Sequence, residues 1–575
     1  MKRNWLISFF FPALVCCWWG VAVAQTDSVV WQAPLDIPLF LAGNFGELRS
    51  NHFHSGLDIK TQGREGLTVR AAEEGYVSRI KISPYGYGLA VYVTHPNGYT
   101  TVYAHLQRYS AEIEAFAKEA QYDLQQFEVD LFPTPGQLPV AQGQMIGLSG
   151  NSGSSGGPHL HFEIRETESE FPVNPLLFNL EIQDDVAPEI REVMIIPLND
   201  RSWADGQRDA VRLGCSKNAN GAYKTDQSRV YCQGKIGLAI DVIDKLNGFP
   251  NKCGVYEIRM YANDELTYEQ VLDKLCFDTK RYVNSHQVYG VNRSERKYFQ
   301  RSYLLPANGL DIYGVIRNGG SIEVSPGEVV QVRYEITDVA GNRSTVEFKL
   351  EGSEPPATLS AATAPTGELM RYDTVNAFRS DECTVYLPEG RLYDDLHFEY
   401  TQSKGPSGAL SDLHAIGSTH VPVHNDFTLK IKCDSLQPAD WPFALVARYN
   451  PRSKGYVACG GKYRHGWVET RVNQFGSYCV LLDSVPPVIR NVDLADNMKG
   501  RTQFNVRITD DLSGIESWNA FVNGHWILGS YDPKRNTVVY ELDASRIPKA
   551  DRYELLIEVK DERGNTATMQ RTISF

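Results

Sequence analysis

"GGPHLHFEIR", residues 156–165, sets two histidines one residue apart behind a run of glycines and serines. Side chains alternate across a β-strand, so His159 and His161 share a face if this stretch is extended. An isolated pair of this kind is more often ordinary strand polarity than half of a metal site. Its meaning depends on what the rest of the chain brings to it.

The neighbouring sequence is β-patterned. "GLTVRAAEEGYVSRIKI" (66–82), "LAVYVTH" (89–95) and "TTVYAHL" (100–106) alternate in polarity and are bounded by the turn sequences "SPYGYG" and "HPNG". One segment breaks the pattern. In "SAEIEAFAKEAQYDLQQFEVDL" (110–131), Ile113, Phe116, Ala117, Ala120, Leu124 and Phe127 recur at helical spacing. This predicts a helix packed on the sheet, with a lid beside a groove as its alternative role.

A partner for the paired histidines lies upstream in "NHFHSGLDIKT" (51–61). His54 and Asp58 stand four apart, an even spacing that fits one strand face, and Gly56 between them allows a bend. His105 closes another β-patterned run. Hydrolytic zinc takes three protein ligands, typically His or carboxylate, and leaves a position open. Two further histidines nearby would move protons or hold an oxyanion. The other histidines are read differently. His52 is a surface or supporting residue and His95 a turn residue. His286, His397, His414, His420, His424, His465 and His525 have no ligand spacing and are structural. Arg49 is a surface arginine or, less simply, a substrate-carboxylate binder. The glycine run lacks the Gly-Lys-Ser/Thr of a phosphate loop and reads as a tight, mobile connection beside the metal.

"HSGLD" (54–58), "YAHL" (103–106), "GLSGNSGSSGGPHLHFEIR" (147–165) and "NPL" (174–176) together resemble the lysostaphin/LytM-type zinc endopeptidases of bacterial cell walls. The resemblance covers residues 40–178 with every motif in order. It implies a single zinc ion on His54, Asp58 and His161, with His105 and His159 as catalytic histidines outside the ligand set. It also implies a small antiparallel sheet of the duplicated hybrid motif type, and peptidoglycan peptide stems as substrate. Two other functions stay open: a non-catalytic scaffold that binds peptidoglycan or activates another wall hydrolase, and a zinc protease acting on proteins.

The remainder of the 575 residues requires more domains. "DVAPEIREV" from Asp185 and "DSVPPVIRNV" from Asp483 open two segments that end alike, in "YEITDVAGNRSTVEFKL" and "LIEVKDERGNTATMQRTISF". Both predict immunoglobulin-like β-sandwiches with a tight Gly-Asn turn near the end. The expected fold class is all-β. Its expected divisions are a peptidase domain at 25–184, an immunoglobulin-like domain with insertions at 185–351, a linker at 352–367, a further β-domain at 368–482 and a C-terminal sandwich at 483–575.

Residues 1–24 run from the basic "MKRN" through an apolar stretch to "AVA", and predict a secretory signal peptide cut after Ala24. The product would be exported to the periplasm, the cell envelope or beyond. Its sandwiches are candidates for docking an envelope protein. Eight of the ten cysteines lie beyond this segment, and an even number in an exported chain predicts disulfides. A net charge of −13 without a long basic run argues against nucleic-acid binding.

Overall fold

The structure, a computed structural model, describes residues 31–219, 221–361, 365–450 and 452–575. The segment read as a signal peptide lies outside these residues. Strand accounts for 47% of the chain and helix for 7%, so the fold is all-β. Separate hydrophobic cores follow one another along it. One gathers around Leu57, Tyr103 and Phe162, a second around Ile240 and Tyr334, a third around Phe427 and Val446, and a fourth around Val506 and Ile557. No described helix is long and apolar enough to cross a membrane.

The first core underlies an antiparallel sheet. Its strands are β1 (Leu41–Gly43), β2 (Leu57–Lys60), β3 (Gly75–Ile82), β4 (Leu89–Thr94), β5 (Tyr99–Ala104), β6 (Val129–Leu131) and β7 (His159–Glu166). They pair in the order β1-β2-β7-β5-β4-β3-β6. In the central strand β7, Leu160, Phe162 and Ile164 point into the core and are fully buried. Burying each such side chain stabilises the fold by about 1.5–3 kcal/mol. The alternation therefore fixes the register and commits His159 and His161 to the opposite face.

The helix α1 (Ala111–Leu124) packs on this sheet through Ile113 and Ala117, as its periodicity predicts. It is not a lid, and none of its residues lines the groove described below. Its outer face docks the C-terminal domain instead. Lys118 pairs with Glu541 at 2.7 Å, Glu119 with Arg546 at 2.6 Å, and Tyr122 meets the Trp526 ring edge-on at 5.3 Å.

Beyond residue 185 the sheets change character. Residues 189–352 form an 11-stranded sheet, which includes a parallel pairing of Tyr223–Cys232 with Val346–Gly352. Residues 376–482 contain two five-stranded sheets and residues 488–573 two four-stranded ones.

The expected disulfides do not form. All eight cysteines from Cys215 to Cys479 are free thiols. Cys232, Cys253, Cys383, Cys433 and Cys479 are buried and serve as small apolar side chains. Burial pushes the Cys232 and Cys383 thiols up to about 12, which suppresses the thiolate and its reactivity.

Candidate active site

The sheet register builds the site. Asp58 on β2 lies directly opposite His161 on β7, and Ala104 on β5 faces His161 from the other side. His105 follows Ala104 in the left-handed conformation (φ 59°), an uncommon backbone for a residue with a side chain. His54 precedes β2 and does not share a strand with Asp58, contrary to the even-spacing argument. The chain turns at Ser55–Gly56 and folds the imidazole back over the sheet. Gly56 serves this by close approach, since a Cβ there would sit 2.4 Å from the Phe162 carbonyl oxygen.

His54, Asp58 and His161 converge. His54 Nε2 is 3.0 Å from Asp58 Oδ1 and 3.1 Å from His161 Nδ1, and His161 Nδ1 is 3.0 Å from Asp58 Oδ1. The remaining nitrogens determine what these atoms offer. His54 Nδ1 donates to the Asn44 carbonyl at 2.7 Å, which leaves a lone pair on Nε2. His161 Nε2 donates to Glu163 Oε1 at 2.8 Å. Three basic atoms thus face one another around a single point and require a shared positive charge. Tetrahedral zinc at bond lengths of ~2.0–2.1 Å separates its ligand atoms by about 3.3 Å, so the set fits zinc with little adjustment.

Electrostatics agree with that demand. Burial favours the neutral form of Asp58, but His54, His159 and His161 outweigh it and hold the carboxyl well below its ordinary range. Burial also opposes charge on His161, yet hydrogen bonds from its ring to Asp58 and Glu163 push it up to about 9. A metal ion competes with that proton, so metal binding strengthens as pH rises.

His159 Nδ1 donates to the Gly157 carbonyl at 2.8 Å, and Nε2 stands 3.3 Å from Asp58 Oδ1, facing the point of convergence. His105 Nδ1 donates to the Ser152 carbonyl at 2.9 Å. The two rings lie 4.8 Å apart. Burial lowers His105 to about 3, so its ring stays neutral at physiological pH. All five residues singled out by the sequence therefore meet at one place.

Other residues were not foreseen. Glu163 is fully buried beneath His161. It accepts hydrogen bonds from Ser55 Oγ at 2.6 Å and Arg165 Nε at 2.6 Å, and from the Tyr87 hydroxyl. Arg49, which lines the groove, is not a free surface arginine. Its Nη2 is held between Asp58 Oδ2 and Glu47 Oε2, each at 3.0 Å. His95 opens the turn before Tyr99, as read from sequence, and its buried ring bonds to the Glu74 carbonyl and to Thr101 Oγ1. His52 is exposed on the groove rim.

The glycine-rich connection is held at several points along its length. Ser152 Oγ donates to the Leu106 carbonyl at 2.7 Å and accepts from Leu89 N at 3.0 Å. Gly153 (φ 68°) presses against Gly88, where a Cβ would come within 2.3 Å of the Gly88 nitrogen. Lys534 of the C-terminal domain caps the loop at the Ser155 carbonyl (3.2 Å) and the Asn151 carbonyl. Gly153→Ala is expected to destabilise the domain by ~1–3 kcal/mol and to displace the Ser152 carbonyl that orients His105. A thermal melt together with the histidine NMR resonances checks this, and an unchanged melt and His105 signal would refute it.

A groove of about 570 Å³ opens over the five residues. Its far wall comes from the second unit, through Leu275, Phe277, Lys280 and Ile312. A small shared core of Phe53, Leu272, Val283 and Ile312 joins the two units beneath it.

Comparison with known proteins agrees with the geometry. The description "Peptidase family M23" matches residues 52–122 and 124–175, and a Zu5-like domain matches residues 367–483. The DD-carboxypeptidase/endopeptidase Mpg of Neisseria meningitidis is 34% identical over 129 residues, 22% of this chain and 23% of the relative. The peptidoglycan DD-endopeptidase ShyA of Vibrio cholerae is 29% identical over 159 residues, 27% of this chain and 30% of the relative. The chain thus spans less than a third of the length of these relatives. The catalytic domain of lysostaphin from Staphylococcus simulans is 25% identical, with 24% of this chain and 87% of that one covered at a TM-score of 0.18. Residues 52–175 of this chain are a domain of peptidase family M23, the lysostaphin/LytM type.

Proposed function

We propose that this chain is an exported zinc-dependent endopeptidase that opens peptide cross-links in bacterial peptidoglycan. The observation that carries this reading is the convergence of His54 Nε2, Asp58 Oδ1 and His161 Nδ1 within a groove that His105 and His159 also line. Zinc held by those three atoms would supply a Lewis acid for a peptide carbonyl and for water.

The protein's own residues supply the rest. His105 and His159 each spend Nδ1–H on a backbone carbonyl, so each presents an Nε2 lone pair able to take a proton from the attacking water and return it to the leaving amine. Between those transfers, the resulting imidazolium stabilises the developing oxyanion. Gly156 lines the groove, and a Cβ there would meet nothing within 4 Å, which leaves room for a peptide backbone. Lys280 on the opposite wall offers a cation to the carboxylates of a peptide stem. The names of the Neisseria and Vibrio relatives favour the cross-link between D-amino acids as the bond cut.

The test is digestion of purified sacculi by residues 25–575, with fragments identified by mass spectrometry. New amine ends at a single bond, lost on chelation and restored by zinc, are expected. Stoichiometric zinc without any released fragment would refute the endopeptidase and favour a wall-binding scaffold. Cleavage of unfolded protein but not of sacculi would reassign the substrate.

A further inference from the structure

A second group of acidic side chains lies where the peptidase domain passes into the second unit. One carboxylate oxygen from each of Asp184, Asp244 and Asp338 lies within 4.8 Å of the others. Asp244 is only 2% exposed, and its Oδ1 has no hydrogen-bond partner among the described residues. A buried carboxylate oxygen left without a donor costs free energy unless a cation meets it. The adjacent lysine does not, since Lys245 pairs with Glu189 at 2.6 Å. Burial and the neighbouring aspartates push Asp244 up to about 8, and burial pushes Asp184 up to about 6.

The C-terminal sandwich repeats the arrangement. Asp483, Asp510 and Asp561 also gather within 4.8 Å. "DKLNG" (244–248) corresponds to "DDLSG" (510–514), and "DVAGN" (338–342) to "DERGN" (561–565). Asn342 Nδ2 donates to the Asp184 carbonyl (3.1 Å) and Asp338 Oδ2 (2.9 Å), while Asn565 Nδ2 donates to the Asp483 carbonyl (2.9 Å) and Asp561 Oδ2 (2.7 Å). The two triads differ in one respect. Asp510 Oδ2, the counterpart of Asp244, accepts from Leu512 N and Gly514 N, so backbone donors satisfy it.

The first triad also sits at the root of a hairpin that reaches the peptidase site. Asp244 and Cys253 exchange backbone hydrogen bonds, both 2.9 Å. At the next residue, Gly254 N donates to Asn44 Oδ1 (2.7 Å) and the Gly254 carbonyl accepts from Asn44 Nδ2 (2.8 Å). Asn44 is the residue whose carbonyl holds His54 Nδ1.

We propose that Asp184, Asp244 and Asp338 bind a divalent cation of the calcium class and that this ion braces the 244–254 hairpin against Asn44. An oxygen-only, multiply charged donor set with one member exposed enough to keep water suits calcium rather than zinc. Calcium binding at the triad is separate from zinc binding at His54, Asp58 and His161, so either proposal can fail alone.

The experiment is calorimetric titration of the full mature chain, freed of calcium and loaded with zinc, with calcium chloride. Wild type is expected to bind calcium, Asp244→Asn to lose a site or weaken it at least about tenfold, and Asp510→Asn to keep that site. No binding up to about 10 mM, well above the ~10⁻³ M of weak extracellular sites, would overturn the proposal. So would an Asp244→Asn variant that titrates like wild type. Hydrogen exchange on the wild-type chain guards against a variant that fails to fold. Calcium should slow exchange at residues 244–254 and 42–46, and unchanged exchange there would overturn the brace.

Discussion

Alanine at His161 is expected to leave the chain folded but without bound zinc or hydrolytic activity. Alanine at His105 or His159 is expected to keep the zinc and lose turnover. His161 Nδ1 is one of the three convergent ligand atoms, 3.0 Å from Asp58 Oδ1 and 3.1 Å from His54 Nε2. Its removal leaves two ligands where catalytic zinc requires three. His105 and His159 are held by backbone carbonyls and lie outside the convergent trio. They act on protons, a contribution of about 10²–10⁴-fold in rate. Elemental analysis of zinc per chain, alongside release of peptide from sacculi, separates the two classes, with circular dichroism showing that each variant is folded. One zinc per chain and wild-type turnover in His161→Ala would remove the ligand assignment. Loss of zinc in His159→Ala would move His159 into the ligand set.

The parts of the site that were legible in sequence are those whose chemistry resides in a side chain at a revealing spacing. His159 and His161 two apart, His54 and Asp58 four apart, and His105 at the end of a β-run all arrive where the register of β2, β5 and β7 brings them. The local geometry was less legible. The spacing of His54 and Asp58 fits a single strand, yet a turn intervenes, because Gly56 is shaped by its contact with Phe162 rather than by the strand. Asn44 had no signal at all, since it orients His54 through a backbone carbonyl that any residue possesses. The groove wall at Leu275 and Phe277 lies about a hundred residues beyond the last motif and comes from the second unit. The helix was legible from its period, but not its role. Its period marks only the face packed on the sheet, and nothing local shows that Lys118, Glu119 and Tyr122 meet Glu541, Arg546 and Trp526. Glu163 did leave a trace. "HLHFEIR" continues its alternation past the histidines, so Glu163 and Arg165 share their face. Four polar groups in a row on a central strand need one another.

That row gives the second large effect. Glu163→Ala is expected to destabilise the peptidase domain by about 3–5 kcal/mol, because it leaves Arg165, only 5% exposed, as a buried charge without its partner. The same change strands His161 Nε2–H, Ser55 Oγ and the Tyr87 hydroxyl. Set against a typical domain stability of about 5–15 kcal/mol, the loss is a large fraction of the total. Glu163→Gln keeps the shape and, with its oxygen in the Oε1 position, the contacts with Ser55, Tyr87 and His161, but removes the charge that makes His161 a strong ligand. Its expected effect is a roughly 10–100-fold weaker zinc affinity with a smaller loss of stability. The pH dependence follows from the same partners. Burial alone would raise the Glu163 pKa, but Arg165 and His161 outweigh it and hold the carboxyl well below its ordinary 4.5. A carboxyl depressed in the folded state stabilises the fold above its unfolded pKa, and that contribution drains away as pH falls below about 4.5. Wild-type melting temperature should therefore fall on acidification through that range, and Glu163→Gln should show a shallower acid limb. Melting curves of wild type and Glu163→Gln at neutral pH and at successive steps below 4.5 make the comparison. Parallel acid limbs would mean that Glu163 gains nothing from Arg165 and His161 in the folded chain, and the four-residue row would then be a set of contacts without energetic coupling.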